Sequence, residues 1–167
     1  MKENNVGNAS NIAMLGMLLC LALIMSYVER LIPFSIGIPG VKLGLANIVS
    51  VWLLYRAGAK EAITVGILRV ILAGFMFGSM GSIIYSISGL IISIFVMILM
   101  KKADIFSIIG VSICGGIMHN LAQLVTAAIV LETYTVAYYM PVLLISGCIT
   151  GACVGIAGGL LYKYVKM

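Results

Sequence analysis

The chain has 167 residues, of which 63% are hydrophobic and only 9% charged, with a mean hydropathy of +1.22. A soluble domain needs about a quarter of its residues charged to cover its surface, so this composition excludes an ordinary soluble fold and indicates an integral membrane protein. Ten basic against five acidic residues leave +5; the basic residues sit singly or in pairs at the ends of apolar runs, which excludes a nucleic-acid footprint and reads as topology determinants and headgroup contacts.

Spanning a hydrocarbon core of about 30 Å takes roughly 20 helical residues. On that scale the sequence predicts a short cytoplasmic segment, 1–9, and one transmembrane domain, 10–167, built as an all-α bundle of six helices. The first helix covers 12–28 and ends at Glu29-Arg30. No small-residue cleavage site and soluble domain follow it, so it is not read as a removable signal peptide. Next comes ERLIPFSIGIPGVKLGLAN, Glu29 to Asn47, where Glu29, Arg30, Lys42 and Asn47 gather around Pro33, Pro39, Gly37, Gly40 and Gly44. The second helix, 43–55, is too short to span unaided, so its entry must be shielded by protein or water. The remaining helices are expected at 62–77, 82–100, 106–131 and 137–162.

Charge sets the direction. With the N-terminus in the cytoplasm, Lys2, Arg56, Lys60, Lys101, Lys102, Lys163 and Lys166 lie inside, and only Arg30 and Lys42 face outward. The outer turns 78–81 and 132–135 carry no Lys or Arg. Both termini are therefore expected in the cytoplasm, with the 29–42 loop outside a multi-pass protein of the cell membrane.

Gly147, Gly151, Gly155 and Gly159 recur at steps of four on the sixth helix and form one narrow stripe for close helix packing, within the chain or against a partner. Gly74 and Gly78 repeat the spacing on the third helix. Ala9 and Ala13 form a small-residue pair on the first helix, a weak candidate for docking a neighbouring protein. Cys20, Cys114, Cys148 and Cys153 lie in apolar runs without CxxC spacing and read as packing residues, with neither metal nor disulfide.

Ionisable groups inside a membrane are costly and mark a functional site or an internal pair. Arg69 falls within the third helix; His119, Asn120 and Gln123 fall near the middle of the fifth. His119 and Gln123, four apart, share a face. Together with Glu29, Lys42 and Asn47 they would wall a cavity suited to an anion or a polar ring with carbonyl acceptors; Tyr85 is the aromatic expected to face it. The alternative is an internal network, with Arg69 neutralised by Glu29 and the fifth-helix amides bonding neighbouring helices. An intrinsic enzyme is not expected. No GxxxxGK[ST] is present, and five scattered acids cannot build the clustered carboxylates that hold Mg²⁺ on a diphosphate. No cofactor is implied.

Glu29-Arg-Leu-Ile-Pro33, Gly37-Ile-Pro39-Gly40, Lys42-Leu-Gly-Leu-Ala-Asn47, Leu68-Arg69, Gly78-Ser79 and His119-Asn120-Leu-Ala-Gln123 together resemble the Gx transporter family, also described as heptaprenyl diphosphate synthase component I. The resemblance covers nearly the whole chain. That family is similar to the substrate-binding S components of energy-coupling factor transporters. It implies a six-helix protein that binds a small molecule near the outer face under the 29–47 loop, driven by a transmembrane T protein and ATPase subunits. Ala9 and Ala13 would then be the T-protein docking surface. The second description implies a different role, a non-catalytic membrane subunit associated with a polyprenyl (heptaprenyl) diphosphate synthase.

Overall fold

The computed structural model describes residues 3–31 and 44–165, with side chains from residue 11 onward. Lys42 and both loop prolines therefore lie outside the described residues, as does the side chain of Ala9. Among the described residues all regular secondary structure is helical, without strands. The elements are α1 (Glu3–Leu31), α2 (Asn47–Arg56), α3 (Ala59–Phe77), α4 (Met80–Ala103), α5 (Ile108–Val130) and α6 (Met140–Tyr164), the last entered through a 3-10 turn at Thr135–Tyr139.

Local chemistry sets the ends. α1 runs further in both directions than the apolar stretch 12–28, because the polar residues before Ile12 include no proline to stop it. α4 opens on a capping box: Ser79 Oγ accepts from Ser82 N at 3.2 Å, and Ser82 Oγ accepts from Ser79 N at 3.0 Å. Ser107 caps α5 by accepting from Gly110 N at 3.3 Å. Pro141 in the first turn of α6 places that helix start later than 137, at Met140.

Four segments, Asn11–Leu31, Met80–Ala103, Ile108–Val130 and Thr135–Tyr164, are long and apolar enough to cross a membrane. The chain is a multi-pass membrane protein. α3 carries Lys60, Glu61 and Arg69, and α2, with ten residues, extends only about 15 Å. That short helix is the most enclosed of the six. Every residue from Val49 to Leu54 is buried, packed against Ala62 and Val65 of α3, Leu90, Ile94 and Met97 of α4, Val111 of α5 and Val154 of α6. A helix apolar on all sides is stable only when its neighbours surround it, and here they do. The outward faces show Ile12, Met17 and Ile24 on α1, Ile84, Ile91 and Phe95 on α4, and Ile145, Ile149 and Ile156 on α6. Such surfaces are suited to lipid.

α5 and α6 make the closest seam. A side-chain carbon added to Gly147 would stand 2.9 Å from Gly116 O, and one on Gly151 would stand 2.8 Å from both Ile113 Cα and Ser112 O. One on Gly155 would meet Ile109 Cα at 2.8 Å. These are backbone neighbours that cannot rotate away. At Gly159 the same carbon would meet only Ile108 Cγ2, at 3.9 Å, while Gly158 faces Val51 of α2. The close approach thus ends at Gly155, which faces Ile109, because α5 begins at Ile108 and offers no further turn for Gly159 to meet. Ser93 Oγ donates to Gly115 O at 2.8 Å and Thr126 Oγ1 to Ser88 Oγ at 2.8 Å, joining α4 to α5. The four cysteines are free thiols.

At the end of the bundle formed by the C-termini of α2 and α4, Lys101 Nζ donates to Leu54 O at 2.6 Å and lies 4.8 Å over the Tyr55 ring. Tyr55 meets Tyr162 edge-on at 6.1 Å, and the Arg56 guanidinium stands 5.9 Å above Tyr162. This cluster ties α2, α4 and α6 together.

Candidate functional site

At the opposite end, the C-terminal ends of α1 and α3 and the N-terminal ends of α2 and α4 surround a cavity of about 370 Å³ that reaches the middle of α5 and α6. α1 contributes Ser26, Glu29 and Arg30, and α3 contributes Arg69, Val70, Ala73, Gly74 and Phe77. Gly44 and Asn47 enter at the start of α2, Ser82 and Ser86 from α4. The deep wall is Gly116, His119, Asn120 and Gln123 of α5 with Thr150 of α6. Six residues singled out from sequence, Glu29, Asn47, Arg69, His119, Asn120 and Gln123, therefore line one cavity.

Each is held by its element. Glu29 Oε1 accepts from Gly44 N, which ties the last turn of α1 to the turn leading into α2. Gly44 has φ +71°, a left-handed conformation that side chains strain to adopt, and its carbonyl accepts from Asn47 N at 2.8 Å. The tight turn brings Asn47 under the carboxylate. Asn120 Nδ2 donates to Leu143 O at 2.8 Å, so this amide both lines the cavity and fastens α5 to α6. The His119 ring and the Gln123 stem lie against Gly89 of α4. A carbon added there would stand 2.8 Å from His119 Cε1, 2.9 Å from its Nδ1 and 3.0 Å from Gln123 Cγ. Gly89 is the seat of the histidine.

Arg69 is the exceptional group. Its Nε is buried and has no hydrogen-bond partner among the described residues. Leaving such a donor unpaired costs about 1–3 kcal/mol, more when it is charged. With Arg30 it sets two guanidinium charges against the one carboxylate of Glu29, so the cavity carries net positive charge. Among the described residues no three His, Cys, Asp or Glu side chains are grouped to hold a metal ion.

The family model for heptaprenyl diphosphate synthase component I matches residues 18–161. The chain belongs to that family. No curated protein and no solved structure matches.

The matched span includes every described residue of the cavity. One residue expected to face the cavity falls elsewhere. Tyr85 is not among the lining residues: Ser82, Ser86 and Gly89 share the inward stripe of α4, and one residue along a helix turns the side chain about 100° away. Ala13 is exposed on α1 and remote from the cavity. Sequence reasoning missed Ser26, Ser82, Ser86 and Thr150. Isolated hydroxyls in apolar helices commonly bond their own backbone, as Ser26 Oγ does to Ala22 O at 2.9 Å. The 82/86/89 spacing on one face was the available signal.

Proposed function

We propose that this chain is the membrane-embedded, ligand-binding (S) component of a small-molecule uptake transporter of energy-coupling factor type. In this reading all six helices form the transmembrane unit, α2 and α3 crossing as part of the bundle. Both termini are cytoplasmic in the cell membrane, and a small molecule binds in the outer-half cavity. A separate transmembrane T protein and ATPase subunits supply energy, and the chain is not itself an enzyme.

The observation that carries the proposal is the buried Nε of Arg69, without a hydrogen-bond partner among the described residues, on the wall of a cavity of about 370 Å³, a volume in the range of small-molecule sites. A ligand oxygen would complete that donor. Gln123, Asn47 and His119 would orient the ligand, and Glu29 would hold the mouth through Gly44. An acceptor-bearing or anionic small molecule fits the net positive charge.

Native mass spectrometry of the purified protein tests this. A small molecule of constant mass should accompany the wild type and be lost from Arg69→Ala and His119→Ala, both still inserted. A protein consistently devoid of ligand, or both variants retaining it, would sink the assignment.

The family's own description supports a second reading, a non-catalytic membrane subunit of a heptaprenyl diphosphate synthase. Such a subunit would recruit a soluble enzyme at the basic end that carries Arg56, Lys101 and Lys102. Co-purification of prenyl-transferring activity with the chain, lost on neutralising those three residues, would favour it.

A further inference from the structure

Beneath the ligand cavity lies a second, smaller one of about 30 Å³, bounded in part by Gly44, Asn47, Gly116, His119 and Thr150, which line both. Its own walls are Val51, Leu90, Ile94, Met97 and Val154, interrupted by three hydroxyls, Ser50, Ser93 and Ser112. Hydroxyls at such depth need partners. Ser93 has committed its proton to Gly115 O at 2.8 Å, and Thr150 has committed its own to Ser146 O at 2.9 Å. Both therefore offer the space only lone pairs. Ser112 is 3% exposed, and among the described residues its Oγ has no hydrogen-bond partner. The apolar walls cannot supply one.

Ser112 sits in the α5–α6 seam, its Cβ beside the bare backbone of Gly155. An unpaired buried hydroxyl costs about 1–3 kcal/mol. A cavity of this size exceeds the roughly 10–15 Å³ that one water requires, and such water typically makes about three hydrogen bonds. Ser112, Ser93, Thr150 and the Asn47 amide supply that number. A species that both donates and accepts satisfies the set.

We infer that this lower cavity is a buried water site, holding one or two water molecules anchored by Ser112 Oγ beneath His119 and Asn47. The inference is independent of the transport reading and would hold for a scaffold or a synthase subunit. If a ligand does bind above, its floor is a water-backed polar surface.

X-ray radiolytic labelling tests it, since radicals formed from bound water oxidise side chains beside it. Met97 is only 5% exposed yet lines the site. Its sulfoxide, read by peptide mass spectrometry, should form in the wild type at a rate within a few-fold of exposed Met17 and Met76. It should fall at least about fivefold in Ser112→Val, whose methyl groups fill the space, and in Ser112→Ala should the larger residue impair folding. A protected Met97 in the wild type, or equal oxidation in the variants, overturns the inference. An anomalous peak beside Ser112 Oγ after rubidium exchange would also overturn it, by showing a monovalent cation in place of water.

Discussion

Glycine 89 shows how much a single absent side chain decides in this protein. It was not legible as a site residue, because a glycine in an apolar helix has many uses and its sequence neighbours are Ser88 and Leu90. Only the packing of α4 on α5 puts the His119 ring where a carbon would be. Under the proposed ligand-binding role, Gly89→Ala should displace the ring and the Gln123 stem and weaken ligand retention about tenfold, or about 1.4 kcal/mol, while the protein still inserts. Gly81→Ala, where the nearest atoms lie at 3.9 Å, is the matched control and should be neutral; both are read by titration of the co-purified small molecule. Arg69 was legible, since a charge inside an apolar helix stands out. What sequence could not supply was the geometry around it: Glu29 accepts from Gly44 N while its charge still acts on Arg69, and among the described residues the Arg69 Nε has no hydrogen-bond partner.

Between elements, the α5–α6 seam carries the structure by backbone proximity. The period of four glycines was visible in sequence, but how far the contact runs was not, because that depends on which turn of α5 lies opposite each glycine and on where α5 begins. Gly151→Ala should lower stability in detergent by about 1–3 kcal/mol, as overpacking in a close-packed interior does, and Gly151→Leu by more. Gly159→Ala should stay within about 0.5 kcal/mol, as at an unconfined surface position. Thermal unfolding of the three variants in one detergent checks the order; equal melting temperatures for Gly151→Ala and Gly159→Ala would contradict it. Helix α2 makes the complementary case. Its shortness was readable from Lys42 to Tyr55, whereas its enclosure on every side follows only from the neighbours that surround it.

At the scale of the whole molecule, the charged and tyrosine-rich cluster of Tyr55, Arg56, Lys101 and Tyr162 lies at one end, and the polar cavity opens from the other. If the first end is cytoplasmic, as the distribution of Lys and Arg predicts, a cysteine-free version carrying Lys102→Cys should react with an impermeant thiol reagent only from the inside. One carrying Glu132→Cys should react only from the outside, and the reverse pattern would invert the topology. By itself the sequence determined the membrane class, the helical architecture and a short list of polar residues within apolar helices, because hydropathy and charge are local properties of the chain. It also raised Glu29 to Asn47 as the unusual segment, of which Glu29, Gly44 and Asn47 can be followed into the cavity. Only tertiary structure decided which of the polar residues share one space, that Tyr85 gives way to Ser86, and that Ser112 lacks a partner among the described residues. Convergence of side chains from α1 to α6 is a property of helix rotation and crossing, and no single helix encodes the position of its neighbours.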